Sequence, residues 1–376
     1  MAISTSTAQS PESTGDQICY LVEPIFIQGH KIMVAAVEGS AKTWLLTGTA
    51  IHVAAGEPLL GMEVNQCSVL MLDEETPIAT LKNRLNRLAS GLGYQTYEAL
   101  PIVLRPKREF RFGSKSSLSE IAYPSIKAAL KGSTDAKHLL ITMDSHIAML
   151  GATTHSHAEN QDTAGRRLGE TLENIQTFCR DKYKVTATVL LATHAKKGVT
   201  DYDIEDIKGS EMQELVRGHG SIVGLGCDTG FVLKKISDNP LRGVLIPKPR
   251  REAVPMEEIY WELQEESYGH GWAKLVRIEP VPIPPSELAV RLYSLFKNNP
   301  KRVYPSQELS RLMTMYDPSD RRLAVYHLQK HKIIVSTAEK PFDYQLTPDH
   351  VQQGEFNQEY TDQLEVAYEK GFGKNT

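Results

Sequence analysis

KIMVAAVEGSAKTWLLTGTAIHVAA, Lys31 to Ala55, is the stretch on which the reading of this chain turns. The run Lys31 to Val37 reads as a buried strand, and Lys42 to Ala55 as a helix by apolar spacing and length. The small residues between them suit a loop whose successive backbone N–H groups wrap phosphate oxygens, with a helix N-terminus beneath. Such a loop also needs a lysine for the outer phosphates and a hydroxyl for Mg²⁺. Gly39, Lys42 and Thr43 fill those places, and Ser40, Ala41 and Trp44 complete the expected nucleotide-binding stretch. Two residues depart from the pattern: Ala36 stands where the first glycine is usual, and Ala41 where a glycine precedes the lysine. If Ala41 has to sit at positive φ, the strain is about 1 to 2 kcal/mol, against about 8 kcal/mol for micromolar nucleotide binding. Binding is expected to be weakened, not abolished.

Downstream stretches supply matching chemistry. SVLMLDEE, Ser68 to Glu75, is an apolar strand ending in carboxylates, where Glu75 is placed to act as a general base and Glu74 is the alternative one residue earlier. HLLITMDSH puts Asp144 at the end of a second apolar strand, where a carboxylate is costly unless paired or near a metal. In a phosphate-loop protein that is the Mg²⁺-side aspartate. ATVLLATHAKKG ends a third strand with His194, Lys196 and Lys197, and an imidazole there can hydrogen-bond a terminal phosphate. LIPKPRREAVP sets Lys248 and Arg250 two apart, so both project from one face of a strand.

The whole chain has 376 residues, 41% hydrophobic and 23% charged, with a formal charge of −4. A disordered chain is excluded by that composition, and the length allows two domains. No apolar run approaches the roughly 18 to 20 residues needed to cross a bilayer, so no membrane partner is expected. The opening residues lack the order of a signal peptide, and the expected location is cytoplasmic. Four cysteines without CxxC spacing suggest neither a zinc ribbon nor a disulfide framework. Three histidines, His146, His155 and His157, invite a zinc reading but lack a matching carboxylate spacing.

Short apolar runs alternate with amphipathic stretches from Gln17 to about Ile278, the pattern of strands and crossover helices around a mainly parallel sheet. The expected division is a disordered tail at 1–16, an α/β domain at 17–278, a proline-rich linker at 279–286, a small module at 287–348 and an acidic tail at 349–376. In the module, three helices and a hairpin resemble a winged helix-turn-helix. Between Ser286 and Lys332 it carries nine basic residues against four acidic, a net of +5 on an otherwise acidic chain. Arg321, Arg322, Gln329 and Lys330 on its third helix are the candidates to face a DNA groove. Protein docking is the competing use.

The order of these parts resembles the RecA-fold hexameric ATPases, in particular the RepA-type plasmid helicases and the related DnaB-like ring motors, over roughly residues 17 to 265. The likeness rests on AVEGSAKT, on VLMLDEE followed by the arginine-bearing LKNRLNRL, on LLITMDS, on THAKKG, on RGHGS at Arg217 to Ser221, and on PKPRR. It implies ATP and Mg²⁺ as cofactors, bound through Lys42, Thr43 and the Walker B residue Asp144. Glu75 becomes the catalytic glutamate and His194 the sensor, with Thr193 where many relatives carry another histidine. Lys248 and Arg250 match a Lys-x-Arg finger that reaches a neighbouring subunit's nucleotide in a ring, usually of six. Loops at His146 to Asp162 and Lys196 to Gly209 are placed to grip single-stranded DNA in the ring channel.

The resulting expectation is a DNA-dependent ATPase, a helicase or DNA-loading motor in replication of a plasmid, phage or mobile element, with other replication proteins as partners. The alternatives are a RecA- or KaiC-like ATPase regulator that does not unwind, and a nucleotide-gated DNA-binding scaffold with weak or no hydrolysis, motivated by Ala36 and Ala41.

Overall fold

The computed structural model describes residues 18–106, 109–131, 136–150, 159–195, 227–249, 257–267, 270–280, 287–300, 302–313, 316, 321, 324–325, 328–329, 333–336, 343–346 and 358–367. The opening tail, most of the proline-rich linker, His155, His157, Lys196 to Gly209, Arg217 to Ser221, Arg250, Arg322 and Lys330 lie outside the described residues.

Side chains that alternate along a strand point to opposite faces, and here that alternation builds two cores. Within β3 (Lys31–Ala36), Ile32, Val34 and Ala36 join one core while Met33 and Ala35 join the other. β3 follows a small pair, β1 (Tyr20–Val22) and β2 (Phe26–Ile27), and leads through the glycine-bearing loop into α1 (Lys42–Ala55). Then come β4 (Ser68–Asp73), α2 (Ile78–Gly91), β5 (Ile102–Arg105), α3 (Tyr123–Leu130), β6 (His138–Asp144), α4 (His146–Leu150), α5 (Glu159–Phe178) and β7 (Thr186–His194). Four longer strands follow: β8 (Thr229–Asp238), β9 (Leu241–Pro249), β10 (Ile259–Ser267) and β11 (His270–Arg277).

Together they form a nine-stranded sheet in the order β11-β10-β9-β8-β3-β7-β6-β4-β5. Strands β8 through β5 in that order run parallel, and β9 to β11 extend the sheet as an antiparallel meander. Helices α1 and α2 cover one face through Leu45, Ile51, Leu81 and Leu85, and α3 and α5 cover the other through Ile126, Leu168 and Leu172. The expected α/β fold around a mainly parallel sheet is present. Purely parallel strands need crossovers, so the C-terminal ends of β3, β7, β6 and β4 emerge side by side at one edge. That edge is where such sheets place ligands.

Strand and helix limits differ from expectation where local chemistry intervenes. α3 is preceded by a π-helical segment, Ser117–Ala122, and α5 likewise runs into one at Cys179–Tyr183. β10 and β11 were not anticipated, because IYWELQEES and HGWAKLVR intersperse charges that water accepts on one face. At the close of α2, a Cβ on Gly91 would stand 2.1 Å from the Ala273 carbonyl oxygen, so glycine is what lets this helix lie against β11.

A third core gathers Leu288, Leu292 and Phe296 of α6 (Glu287–Asn298) with Leu309 of α7 (Ser306–Leu312). Its sheet has the order β12-β14-β13, from β12 (Tyr304–Pro305), β13 (Ile334–Ser336) and β14 (Asp343–Leu346). Read in sequence as part of an acidic tail or a frayed helix, Gln358–Ala367 is a helix, α8, whose Leu364 is fully buried in this core. Glu365 beside it pairs with Lys297 and accepts from the Tyr293 hydroxyl of α6. No helix of the described residues is long and apolar enough to cross a membrane.

Candidate nucleotide-binding site

The loop after β3 turns on two left-handed residues. Gly39 has φ 79° and Ala41 has φ 65° and ψ 22°, so the alanine takes the conformation that the sequence reading charged with about 1 to 2 kcal/mol. Fully burying side chains such as Leu45, Leu46, Ile51 and Val53 stabilises by about 1.5 to 3 kcal/mol each, which keeps α1 seated despite that strain.

Lys42 opens α1 and folds back beneath the loop. Its Nζ donates to the Val37 carbonyl at 3.1 Å and lies 3.4 Å from both the Ala36 carbonyl oxygen and His194 Nδ1. Burial lowers the pKa of this ammonium, opposed by the charges of Asp144, Glu75 and Glu38. One residue on, Thr43 Oγ1 donates to Asp144 Oδ2 at 2.8 Å. Asp144 ends β6 and is 5% exposed; burial pushes its carboxyl up to about 7, helped by the neighbouring charge of Asp73. Asp73 sits beside it because the two are register partners at the ends of β4 and β6. Its Oδ1 accepts from the backbone N–H groups of Glu75 at 2.9 Å and Thr76 at 2.6 Å, tying the turn into α2.

The two adjacent glutamates part ways at the end of β4. Glu75 reaches across to His194, whose Nε2 lies 3.1 Å from Glu75 Oε2. Hydrogen bonding from His194 holds the Glu75 carboxyl down to about 2, against burial and with help from Ser145 and Lys42. Glu74 turns away, accepting from the Phe110 N–H at 3.1 Å, with the Arg111 guanidinium 3.7 Å off. Burial drives the Glu74 carboxyl up to about 7. An ammonium is only a donor, so Lys42 fixes the imidazole of His194 as acceptor at Nδ1 and donor at Nε2. Thr193, the residue before it, is hydrogen-bonded at 2.6 Å to the buried His146 Nδ1.

Lys42, Thr43, Glu75, Asp144 and His194 are thus brought together, and Gly39, Ser40 and Ala41 form the loop above them. Lys248 is not among them. It lies on β9 opposite Gly230, level with Met33 at the end of the sheet away from the loop. In the C-terminal unit Arg321 donates to the Ser310 carbonyl at 3.0 Å and Gln329 is half-buried.

Beside Trp44 opens a cavity of ≈ 720 Å³. It is walled by Arg84 and Arg87 of α2, the β8–β9 turn, Glu262 and Glu265 of β10, and Trp272 of β11. Arg84 lies 5.3 Å and Arg87 5.6 Å from the centre of the Trp44 ring. Arg87 is further anchored to Glu265 at 2.9 Å, while Asp144 and Asp73 act on the Arg84 charge. Both arginines lie in the LKNRLNRL helix, where sequence alone assigns them no task. Their signal was the spacing of three, which sets both on one helix face.

Among the described residues no cluster of three or more His, Cys, Asp or Glu side chains is placed to hold a metal; His155 and His157, two of the three histidines of the zinc reading, lie outside them. Mg²⁺ needs less protein, keeping waters and substrate phosphates beside one or two protein oxygens. The hydroxyl of Thr43 against the buried carboxylate of Asp144 is a donor set of that kind.

Parallel strands with a phosphate loop after the central one, and carboxylates at the ends of two neighbours, define a RecA-like P-loop ATPase. Residues 3–199, more than half of the chain, match the AAA domain family, and the protein belongs to it. No curated protein matches the chain. Among solved structures, a KaiC-like protein from the hyperthermophilic archaeon Pyrococcus horikoshii OT3 is similar at 17% identity and a TM-score of 0.41, over 69% of this chain and 94% of that one. A DnaB-like replicative helicase, described with its interactions with primase, is similar at 13% identity and a TM-score of 0.46, over 67% of this chain and 59% of that one.

Proposed function

We propose that this ATPase is a ring-forming, DNA-dependent motor, a helicase or DNA-loading machine of the RepA-like class acting in replication of a plasmid, phage or mobile element. The observation that carries the reading is the convergence of Lys42, the Thr43–Asp144 pair and the Glu75–His194 pair at one edge of the sheet. In this reading Lys42 and the loop N–H groups from Gly39 to Thr43 bind the β- and γ-phosphates. Thr43 and Asp144 hold Mg²⁺, which when bound neutralises charge on the phosphate oxygens. Glu75 stays ionised and orients a water toward the γ-phosphorus. The bond from that water oxygen forms as the β–γ bridging bond breaks, and the proton leaves toward Glu75. The cavity beside Trp44 receives the base, stacked on the indole where Arg84 now lies.

Lys248 and Arg250 act in trans in this proposal. The distance of β9's end from its own loop supports it, since a finger there serves only a neighbour's nucleotide. The module of α6, α7 and the β12-β14-β13 sheet is read as a winged helix that contacts duplex DNA through its basic surface, with Arg322 and Lys330 foremost and Gln329 beside them. Arg321 contributes less than the sequence suggested, because its guanidinium is engaged with Ser310. ATP turnover measured with and without single-stranded DNA, beside native mass spectrometry, tests the proposal. Stimulated turnover from a ring supports it; turnover indifferent to DNA from a monomer removes the motor.

A further inference from the structure

Each group that a nucleotide would engage at this site already has a partner within the chain. Lys42 bonds to the Val37 carbonyl and approaches His194 Nδ1 at 3.4 Å; His194 Nε2 holds Glu75 at 3.1 Å. One imidazole therefore spans the phosphate-binding lysine and the candidate base, with its two nitrogens in opposite roles. We infer that His194 is a latch which holds Lys42 and Glu75 together, so that a phosphate must break the Lys42–His194 contact to bind. The inference rests on the nucleotide-binding reading above and adds regulation to it. Glu75 is bound to His194, which is bound to Lys42, so phosphate arriving at Lys42 is felt at the base without movement of the backbone.

The latch has a consequence that neither a scaffold role nor a γ-phosphate contact shares. A structural histidine, once lost, weakens nucleotide binding; a residue that touches only the γ-phosphate leaves ADP affinity unchanged. A latch opposes binding, so its removal tightens it. ADP is the probe, because it lacks the γ-phosphate but still draws Lys42 onto its β-phosphate.

Calorimetry of ADP with Mg²⁺ on the full chain should show His194→Leu binding about three- to tenfold more tightly than the unaltered protein, the scale of one modest hydrogen bond. His194→Gln should match the unaltered protein, since its carbonyl can accept from Lys42 while its amide donates to Glu75. Should the leucine variant fail to fold, His194→Asn, too short to span both partners, should tighten ADP instead. Unchanged or weaker ADP binding in the folded leucine or asparagine variant overturns the latch while leaving the nucleotide site intact. Absence of ADP binding to the unaltered protein overturns both.

Discussion

Ala41 concentrates the chemistry of a single backbone angle. Its φ of 65° belongs to the left-handed region, where a Cβ crowds the following carbonyl oxygen at a cost of about 1 to 2 kcal/mol. Glycine removes that strain but gains more freedom on unfolding, which returns about 0.5 to 1 kcal/mol. Ala41→Gly is therefore expected to stabilise the chain by about 0 to 1.5 kcal/mol in urea unfolding and to bind ATP at least as well. Glu74 and Glu75 show how one register step separates two environments. The Glu74 carboxyl is raised to about 7 by burial, from an ordinary 4.5. Between those values the unfolded chain has released the proton and the folded chain has kept it, so stability falls as pH rises through that window. Glu74→Gln should remove this loss, gaining on the order of 1 to 3 kcal/mol at pH 8 and nothing near pH 4. Glu75→Gln should instead keep ATP affinity while turnover falls by about 10². A turnover loss in the Glu74 variant alone would exchange the two roles. From sequence the base falls at Glu75 with Glu74 as the alternative; what spacing does not show is which carboxylate the chain turns toward β7.

At the scale of elements, α2 joins the site to the far edge of the sheet. Gly91 ends it against the backbone of β11, where a Cβ would meet the Ala273 carbonyl at 2.1 Å. Backbone cannot step aside as a flexible side chain can, so Gly91→Ala should cost about 1 to 3 kcal/mol of stability by overpacking. Circular dichroism against urea reads that loss. Arg84 and Arg87 ride on the same helix, so the variant should also lower ATP affinity by shifting the wall of the Trp44 cavity. The central strands were legible because burial on both faces leaves an almost unbroken apolar run, as in VLML and LLIT. The α1 limits were legible for a related reason: apolar spacing begins just after the loop and ends at Gly56, which takes φ 73° at the helix end. The meander was not legible. Trp261, Leu263, Ala273 and Leu275 are buried from β10 and β11 and alternate with the polar Glu262, Gln264 and Lys274, the pattern of a half-buried strand, but the alternation is short and gives way to Glu265, Glu266 and Ser267, so it stands out less than the unbroken apolar runs of the central strands. Nor could sequence show α8 as part of the third core, since Leu364 is one apolar residue among Glu359, Asp362 and Glu365.

For the whole molecule, the decisive point is where Lys248 lies. It is level with Met33, three residues before the end of β3, and two strands away across β8. At about 3.3 Å per residue along a strand, that is roughly 10 Å below the phosphate loop before the lateral separation is added. Lys248 is thus poorly placed to meet its own γ-phosphate, which is what the proposed finger in trans requires. A cation supplied in trans contributes about 10³ to 10⁵ in rate in enzymes that use one, so a lone subunit should be almost inactive. Two variants separate the halves of such a site. Lys42→Ala subunits lose their own phosphate grip and keep their finger; Arg250→Ala subunits keep the grip and lose the finger. Each alone should turn over ATP at least 10²-fold more slowly than the unaltered protein. When the two are mixed, an interface that pairs an intact loop from one subunit with an intact finger from the next is whole again. In an equimolar mixture with random neighbours, about one interface in four meets that condition, so close to a quarter of the unaltered activity should return, provided the sites fire independently. A ring whose sites must act in sequence would recover less, but still more than either variant alone. Measuring the mixture at several ratios distinguishes these cases, because independent sites follow the product of the two fractions. No recovery at any ratio, with mixed oligomers confirmed by mass spectrometry, would place the finger in cis or remove it from catalysis.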